Sequence, residues 1–359
     1  MIKEVSAEAK GRVNLIGEHT DYNGGWVLPT AIPQGTKVNL SARDDMEVHA
    51  TTGMSFSKAE SALKYTIGKE SPTKSWIDYI QGATKILLAA GHPVRGFNIH
   101  VESTVPVGSG LSSSAALEVS LLKALREMFS LKLTEIEIAK IGQQIENEFV
   151  GAKVGIMDQM ACALANFGEA LFLDTKKMEF ERIRIPTEKM DLVVINSGVE
   201  HQHAGGDYNQ RRSECEQACE KLFIRELREF GIEDLPKLKE LPDKLMRRAR
   251  HVITENERVH QAVAAIRSGD MDKLGQLFYE SHASMRDDYE VSIAPIDLLV
   301  ELCRQQPASY GARLTGGGFG GSIVAITHKG KGSEVANAVA QAYFEKSKVK
   351  ATILVPAPQ

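Results

Sequence analysis

Pro106-Val107-Gly108-Ser109-Gly110-Leu111-Ser112-Ser113-Ser114-Ala115-Ala116 lies between a strand-like run, residues 96–105, and a helical run, residues 115–129. Glycine lets a backbone approach an anion closely. The amino end of a helix presents N–H groups and the positive end of its dipole. Serine hydroxyls bind phosphate oxygens or a hydrated metal ion. The sequence therefore predicts a phosphate-binding loop, and an ordinary helix-capping turn is the alternative.

The composition is that of a globular protein. The chain has 359 residues, of which 43% are hydrophobic and 25% are charged, and this length suggests two domains or one large domain. Its formal net charge is −4, which disfavours nucleic-acid binding through a broad basic face. An anionic substrate would have to be bound by local positive groups, helix ends and metal ions.

Cysteine usage and hydropathy predict a cytoplasmic protein. The four cysteines lack partners at metal-ligand spacing, and we interpret them as reduced thiols: Cys162, Cys215, Cys219 and Cys303. The amino terminus has no apolar signal-peptide core, and no apolar run is long enough to span a membrane. We therefore expect no membrane association.

A polar connection near the amino terminus predicts a site for a polyol. It carries Glu18, His19, Asp21 and Asn23 between two apolar runs, and Asn23-Gly24-Gly25 is a strong turn signal. Loops beside rigid strands often carry binding groups, although a solvated loop would also be polar. His201 and His203 lie in a second polar loop and form a metal candidate, with a plain polar loop as the alternative.

Four further side chains lie in predicted helices. A helical pattern covers residues 76–90, and Trp76 and Tyr79 share one face of it, as core residues or as a platform for a base. A second pattern, residues 134–149, carries Glu146. Asp158 stands among apolar residues at the start of another helix, where a carboxylate is costly unless it is paired, used in chemistry or placed as an N-cap.

A glycine-dense loop follows near the carboxyl end. Residues 316–321 are all glycine except Phe319, and strand-like runs precede and follow them. Such a run predicts a backbone that approaches another group closely, with a flexible hairpin as the alternative.

Three of these segments, in this order, resemble motifs of one family. Residues 11–23, Gly-Arg-Val-Asn-Leu-Ile-Gly-Glu-His-Thr-Asp-Tyr-Asn, resemble the galactokinase signature. Residues 106–116 and 314–321 resemble the second and third motifs of the superfamily of galactokinases, homoserine kinases, mevalonate kinases and phosphomevalonate kinases. The resemblance covers essentially the whole chain. Ser322 departs from it, because a cysteine is expected there, and we expect this change to be tolerated.

The resemblance implies an α+β fold with two domains. We expect a mixed α/β amino-terminal domain at residues 1–190, a ferredoxin-like carboxyl-terminal domain at residues 191–359, and the active site in the cleft between them. The last strand could belong to the amino-terminal domain in this arrangement. The implied reaction is ATP-dependent phosphorylation of the anomeric hydroxyl of galactose, with Mg²⁺ as cofactor. We expect the protein to be a monomer.

The resemblance also assigns roles to single residues. Asp158 matches the catalytic carboxylate, and Arg12 matches the arginine that stabilises its charge and that of the phosphoryl group. Ser114 and Glu146 match the magnesium ligands, and Trp76 with Tyr79 matches the aromatic pair beside adenine. The implied sugar contacts are Glu18, His19, Asp21, Gly155 and Tyr208. The implied phosphate loop is Gly108, Ser109, Gly110, Leu111, Ser112, Ser113 and Ser114.

Two other functions remain open at this point. One is a kinase for a related sugar, an N-acetylhexosamine or arabinose, because the first motif discriminates weakly between such sugars. The other is a galactose-sensing regulator without kinase activity. The presence of Arg12, Ser114, Glu146 and Asp158 together argues against the regulator.

Overall fold

The structure is a computed structural model that describes residues 3–53, 62–199 and 204–356, with side chains from residue 206 onward in the last range. His201 and His203, the metal candidate, lie outside the described residues. Among the helices in these ranges, none combines the length and apolar character needed to cross a membrane. The four cysteines are described, and all are buried thiols.

Strands and helices occur in groups along the chain. The strands are β1 Glu4–Asn14, β2 Trp26–Val27, β3 Pro29–Ala42, β4 Glu47–Thr52, β5 Ala62–Thr66, β6 Phe97–Ser103, β7 Glu169–Asp174, β8 Glu179–Arg184, β9 Met190–Asn196, β10 Ser309–Thr315, β11 Ser322–His328 and β12 Thr352–Val355. The α-helices are α1 Ile77–Ala89, α2 Ser113–Phe129, α3 Glu135–Gln144, α4 Met157–Leu164, α5 Ala204–Leu222, α6 Asp243–Ser268, α7 Met271–Asp287, α8 Ala294–Arg304 and α9 Gly332–Ser347.

The chain forms two compact units. The first contains Met1–Arg12, Ile32–Val107 and Ser112–Leu164, and the second contains Val13–Ala31, Gly108–Leu111 and Ala165–Gln359. A single cut therefore does not separate them, because two short segments of the amino-terminal half group with the second unit. The family's domain boundary near residue 190 stays a prediction.

The first unit joins a sheet to helices α1–α4. In it, β6 pairs with β3 in antiparallel and with β4 in parallel orientation, and β4 pairs with β5. Strand β6 alternates between two faces: Phe97, Ile99 and Val101 are buried, whereas Asn98 and His100 are half-buried. This period of two is what a sheet with one buried face requires.

The second unit contains a four-stranded antiparallel sheet in the order β10-β11-β9-β12. Helices α5–α8 connect β9 to β10, and α9 connects β11 to β12, so the strand order and crossovers are those of a ferredoxin-like fold. This confirms the expected carboxyl-terminal architecture. The last strand pairs with β9 and so belongs to this sheet, not to the other one.

Two sequence expectations need correction. Residues 134–149 are not one regular helix, because α3 passes at Ile145 into a π-helical turn, Ile145–Val150. Strands β4, β5 and β8 have no counterpart among the elements that the sequence predicts. β5 and β8 carry few buried side chains, so their sequences show little apolar alternation.

Candidate active site

Asp158 lies in the first turn of α4 and accepts hydrogen bonds from two side chains of its own unit. Arg12 donates from Nε to Oδ1 at 2.8 Å and from Nη2 to both oxygens, at 2.7 and 2.8 Å. The Ser112 hydroxyl donates to Oδ2 at 2.6 Å. The Asp158 side chain keeps 30% of its surface exposed, whereas that of Arg12 keeps only 4%. Asp158 is thus a paired, reachable carboxylate, and the N-cap alternative is wrong because Asp158 is the second residue of the helix.

The predicted phosphate loop bends through left-handed backbone conformations. Gly108, Gly110 and Ser112 have φ angles of 72°, 75° and 61°. Helix α2 begins immediately afterwards, at Ser113, and its first turn has no acidic residue. The amide of Ala116 donates to the Ser112 carbonyl, which is the first hydrogen bond of the helix. An α-helix has no acceptor of its own for the amides before this bond, so these amides can bind a ligand.

Ser114 and Glu146 meet in the first unit. The Ser114 hydroxyl donates to Oε1 of Glu146 at 2.8 Å, and the Gln159 amide lies 3.4 Å from the same oxygen. Burial raises the pKa of Glu146 to about 7, although the bond from Ser114 acts against this. A hydroxyl and a carboxylate are oxygen ligands that suit Mg²⁺, which usually takes few protein ligands and completes its shell with phosphates and water. No cluster of three acidic, histidine or cysteine ligands occurs among the described residues. Ser114 and Glu146 therefore fit a Mg²⁺ ion only if phosphate oxygens and water complete its ligand shell.

A second buried carboxylate, Glu118 of α2, was missed from sequence. Gln159 donates to its Oε2 at 3.1 Å, while its Oε1 is buried without a hydrogen-bond partner among the described atoms. Burial, with the charge of Glu146 next, raises the pKa of Glu118 well above its usual value. Burial and the charge of Glu146 therefore both favour the protonated form of Glu118.

The predicted adenine pair begins α1. Trp76 precedes the helix and is 8% exposed, whereas Tyr79 is half-buried. Burial raises the pKa of Tyr79, and the charges of Glu146 and Glu118 add to that effect. The adenine role of the pair stays a prediction.

Glu18 is bound tightly within the second unit. Its Oε1 accepts from the Gly316 amide at 2.8 Å and from Arg313 at 3.4 Å, and its Oε2 accepts from Asn14 at 2.8 Å. The residue is only 1% exposed. Glu18 therefore ties the predicted sugar-binding connection to the glycine-dense loop.

The other predicted sugar residues lie in both units. In the second unit, Asp21 begins a 3₁₀ turn, Asp21–Asn23, and the rings of His19 and Tyr208 lie 5.3 Å apart between centroids. In the first unit, Gly155 is buried just before α4. Burial lowers the pKa of His19 to about 3, so its ring is neutral near pH 7.

The glycine-dense loop approaches the backbone of the phosphate loop. A Cβ on Gly316 would lie 2.8 Å from the Gly110 carbonyl oxygen, and one on Gly321 would lie 3.1 Å from the Ser109 carbonyl oxygen. Ser322, the departure from the family pattern, donates to that same Ser109 carbonyl at 2.7 Å. The loop is thus a close-packed partner of the phosphate loop, and the flexible-hairpin alternative is wrong.

Arg313 is the most informative residue that the sequence reasoning missed. It is fully buried in β10 and bonds to the carbonyls of Asn14 and Leu15 at 3.1 and 3.0 Å. Its Nη2 lies 3.7 Å from Glu255. Arg313 is a charged residue within an apolar segment, as Asp158 is. This pattern could have indicated its importance from sequence, because a buried charge is retained only when it is paired or used in chemistry.

Matches to family models identify the class of protein. The model "GHMP kinases N terminal domain" matches residues 78–166, "GHMP kinases C terminal" matches residues 262–346, and "Galactokinase galactose-binding signature" matches residues 3–42. The chain is therefore a GHMP kinase.

A galactokinase of Chloroflexus aggregans is 43% identical over 343 residues, which are 94% of this chain and 87% of that protein. A galactokinase of Thermotoga neapolitana is 38% identical over 347 residues, covering 96% and 95%. The chain belongs to the galactokinase family.

Solved structures agree with this assignment. The crystal structure of Lactococcus lactis galactokinase complexed with galactose superposes with a TM-score of 0.94 at 32% identity, and the match covers 98% of this chain and 92% of that one. A mevalonate kinase of Methanococcus jannaschii shares the fold, with a TM-score of 0.70 at 18% identity. Neither the related-sugar kinase nor the regulator is favoured by these matches.

Proposed function

We propose that this protein transfers the terminal phosphoryl group of ATP to the anomeric hydroxyl of galactose. The observation that carries the proposal is the Asp158 carboxylate, which Arg12 and Ser112 orient at the start of α4 while its surface stays reachable. Membership of the galactokinase family supplies the two substrates.

Asp158 acts on the proton of the attacking hydroxyl. As the sugar oxygen bonds to the phosphorus and the bond from phosphorus to the bridging oxygen of ADP breaks, the hydroxyl proton passes to the carboxylate. Such general-base assistance contributes about 10²–10⁴ in rate. Arg12 holds the carboxylate in one orientation through two donors. Its positive charge also stabilises the negative charge of the phosphoryl group.

The remaining residues position the two substrates. In this proposal Glu18, His19, Asp21, Gly155 and Tyr208 contact the sugar, and Trp76 with Tyr79 contacts adenine. The backbone of residues 108–114 binds the phosphates, because the amino end of α2 provides N–H donors and a positive dipole end. Ser114 and Glu146 would hold Mg²⁺, which neutralises phosphate charge when it is bound.

The catalytic assignment is tested with Asp158→Ala in an ADP-release assay. We expect a loss of kcat of at least about 10²-fold, while ATP affinity measured by calorimetry stays close to that of the wild type. Asp45→Ala is a matched control, because Asp45 forms a bidentate pair with Arg43 in the same unit, outside the predicted site. Retained turnover in Asp158→Ala would overturn the assignment.

The substrate is tested separately with wild-type enzyme. Galactose, N-acetylgalactosamine and arabinose are compared by kcat/KM in the same assay. Galactose should give the highest value, and preference for either other sugar would replace the proposed substrate while leaving the kinase assignment intact. We also propose that the protein is a cytoplasmic monomer, which sedimentation at assay concentration and fractionation of the native cells would test.

A further inference from the structure

A chain of buried hydrogen bonds ends on His19 in the second unit. Its Nδ1 lies 2.8 Å from the Tyr22 hydroxyl, which lies 2.7 Å from the Tyr289 hydroxyl. The Tyr289 hydroxyl in turn lies 3.1 Å from Sγ of Cys215. The chain thus links a predicted sugar residue to a tyrosine after α7 and a thiol of α5.

All four members of this chain are neutral. Burial lowers the pKa of His19 to about 3 and raises the pKa of Cys215 to about 12. Burial also raises the pKa of both phenols, Tyr22 and Tyr289, well above the ordinary value. Each member therefore carries one proton, and the hydrogen bonds can run in one of two directions.

The chemistry of the two ends selects the direction. Imidazole nitrogen is a strong acceptor, whereas a thiol is a weak one, so a phenol donates better to His19 than to Cys215. The amide of Asn23 also hydrogen-bonds to the Cys215 side chain, and an amide N–H can only donate to sulfur. The thiol hydrogen is then directed to Tyr289, Tyr289 donates to Tyr22, and Tyr22 donates to Nδ1 of His19.

This direction puts the single ring proton of His19 on Nε2. That atom is buried and makes no hydrogen bond of normal geometry among the described residues, although the Gly317 backbone carbonyl lies close enough to favour a proton on the ring. Leaving a buried donor without a well-formed hydrogen bond is costly, so the arrangement suits an incoming acceptor of better geometry. The ring position is also fixed, because His19 has a left-handed φ of 62° and its carbonyl accepts from Asn23 at 2.8 Å.

Ring packing holds the middle of the chain in place. The Tyr289 ring lies 4.7 Å from the His19 ring and 4.5 Å from the His251 ring, between centroids. The Tyr289 carbonyl accepts from Arg211 at 2.7 Å. These contacts hold the Tyr289 hydroxyl oxygen within hydrogen-bond distance of the Tyr22 hydroxyl.

We propose that Tyr22, Tyr289 and Cys215 are positioning residues that hold His19 as its Nε2–H tautomer, so that His19 donates a hydrogen bond to an oxygen of the sugar. The sugar contact rests on the proposed function, whereas the tautomer does not. A hydroxyl at this position would accept from His19 and would remain able to donate to a carboxylate.

The tautomer is tested by nitrogen NMR on the unliganded full-length protein labelled with ¹⁵N-histidine. His19→Asn identifies the signal, and long-range proton–nitrogen correlations show which nitrogen carries the proton. We expect Nε2–H in the wild type and a mixture or the Nδ1–H form in Tyr22→Phe. Tyr343→Phe is the matched control, since it also loses a buried hydroxyl bond in this unit, to the Ser197 carbonyl at 3.0 Å. An Nδ1–H wild type, or an unchanged tautomer in folded Tyr22→Phe, would overturn the proposal.

The functional consequence is tested by steady-state kinetics. We expect Cys215→Ala and Tyr289→Phe to raise KM for galactose by about threefold to tenfold, with KM for ATP unchanged. Cys215→Ser, which keeps a hydrogen to donate, should restore most of the loss, and a purely structural cysteine would gain nothing from the hydroxyl. Equal KM in Cys215→Ala and Cys215→Ser refutes the role of the thiol. If the wild type shows the expected tautomer but does not phosphorylate galactose, the proposed function fails and the tautomer assignment stands.

Discussion

Glu18 uses its carboxylate oxygens inside the protein as well as in any contact with a sugar. The Gly316 amide, the Asn14 amide and Arg313 all donate to it. These three donors fix the orientation of the Glu18 carboxylate. If Glu18 contacts the sugar as proposed, Arg313 influences sugar affinity through Glu18 and without direct contact.

Replacing Arg313 by lysine should affect both stability and sugar affinity. Lysine loses the fork that reaches two carbonyls and Glu18, and breaking a buried ion pair costs about 3–5 kcal/mol. We expect a lower urea midpoint and a KM for galactose raised by about tenfold. Arg248→Lys is the control, because Arg248 is equally buried and paired with Glu214 at 2.7 Å. Similar KM changes in both variants would mean that Arg313 acts through stability alone.

Ser114 gives a prediction about the metal. Ser114→Ala removes the hydroxyl that bonds to Glu146, so the Mg²⁺ concentration for half-maximal turnover should rise while galactose affinity by calorimetry stays near that of the wild type. Ser114→Thr keeps the hydroxyl and should behave much more like the wild type. Equal losses of metal dependence and of galactose affinity in Ser114→Ala would contradict the ligand role.

At the scale of elements, the loop between β10 and β11 packs its backbone against the backbone of residues 108–111. Gly316→Ala should therefore be costly, since its Cβ would lie 2.8 Å from the Gly110 carbonyl oxygen and its φ is +88°. Gly330→Ala is a matched control with φ of +79° and no atom within 4 Å of the added Cβ. The control should lose about 1–2 kcal/mol for the left-handed conformation, and Gly316→Ala should lose more and should raise KM for ATP. Equal effects would mean that the clash is relieved at no cost.

Local chemistry explains which elements were predictable from sequence. The phosphate loop and α2 follow from the glycines and serines of residues 106–116 and the apolar period behind them. Strand β5, with its mostly half-exposed residues, lacks such a signal, and so does the change to a π-helical turn at Ile145. The pairing of Asp158 with Arg12 spans 146 residues and that of Glu18 with Gly316 spans 298. Spacing along the chain cannot supply such partners, so family resemblance supplied the roles and the structure supplied the bonds.

At the scale of the whole molecule, buried histidines make folding depend on pH. His251 of α6 is fully buried, and its ring contacts the Ser284 hydroxyl at 2.9 Å and the Glu18 carbonyl at 3.1 Å. Burial lowers its pKa to about 4, although the charge of Glu255 acts in the opposite direction. An unfolded histidine has a pKa near 6.5. Between these values the unfolded chain binds a proton that the folded chain does not, so the free energy of unfolding falls as pH is lowered from about 6.5 toward 4.

His251→Gln should therefore weaken the pH dependence of stability even though it lowers stability at pH 7. Glutamine does not titrate, so the variant escapes the loss of about 2 kcal/mol that His251 contributes between pH 7 and pH 5, at about 1.4 kcal/mol per pH unit below 6.5. Urea unfolding at the two pH values measures the difference. Ser284→Ala is the control: it loses a hydrogen bond to His251 but keeps the titrating ring, so its stability should fall at both pH values with the slope of the wild type. If His251→Gln and Ser284→Ala show the same slope, the acid sensitivity of the fold does not arise from His251.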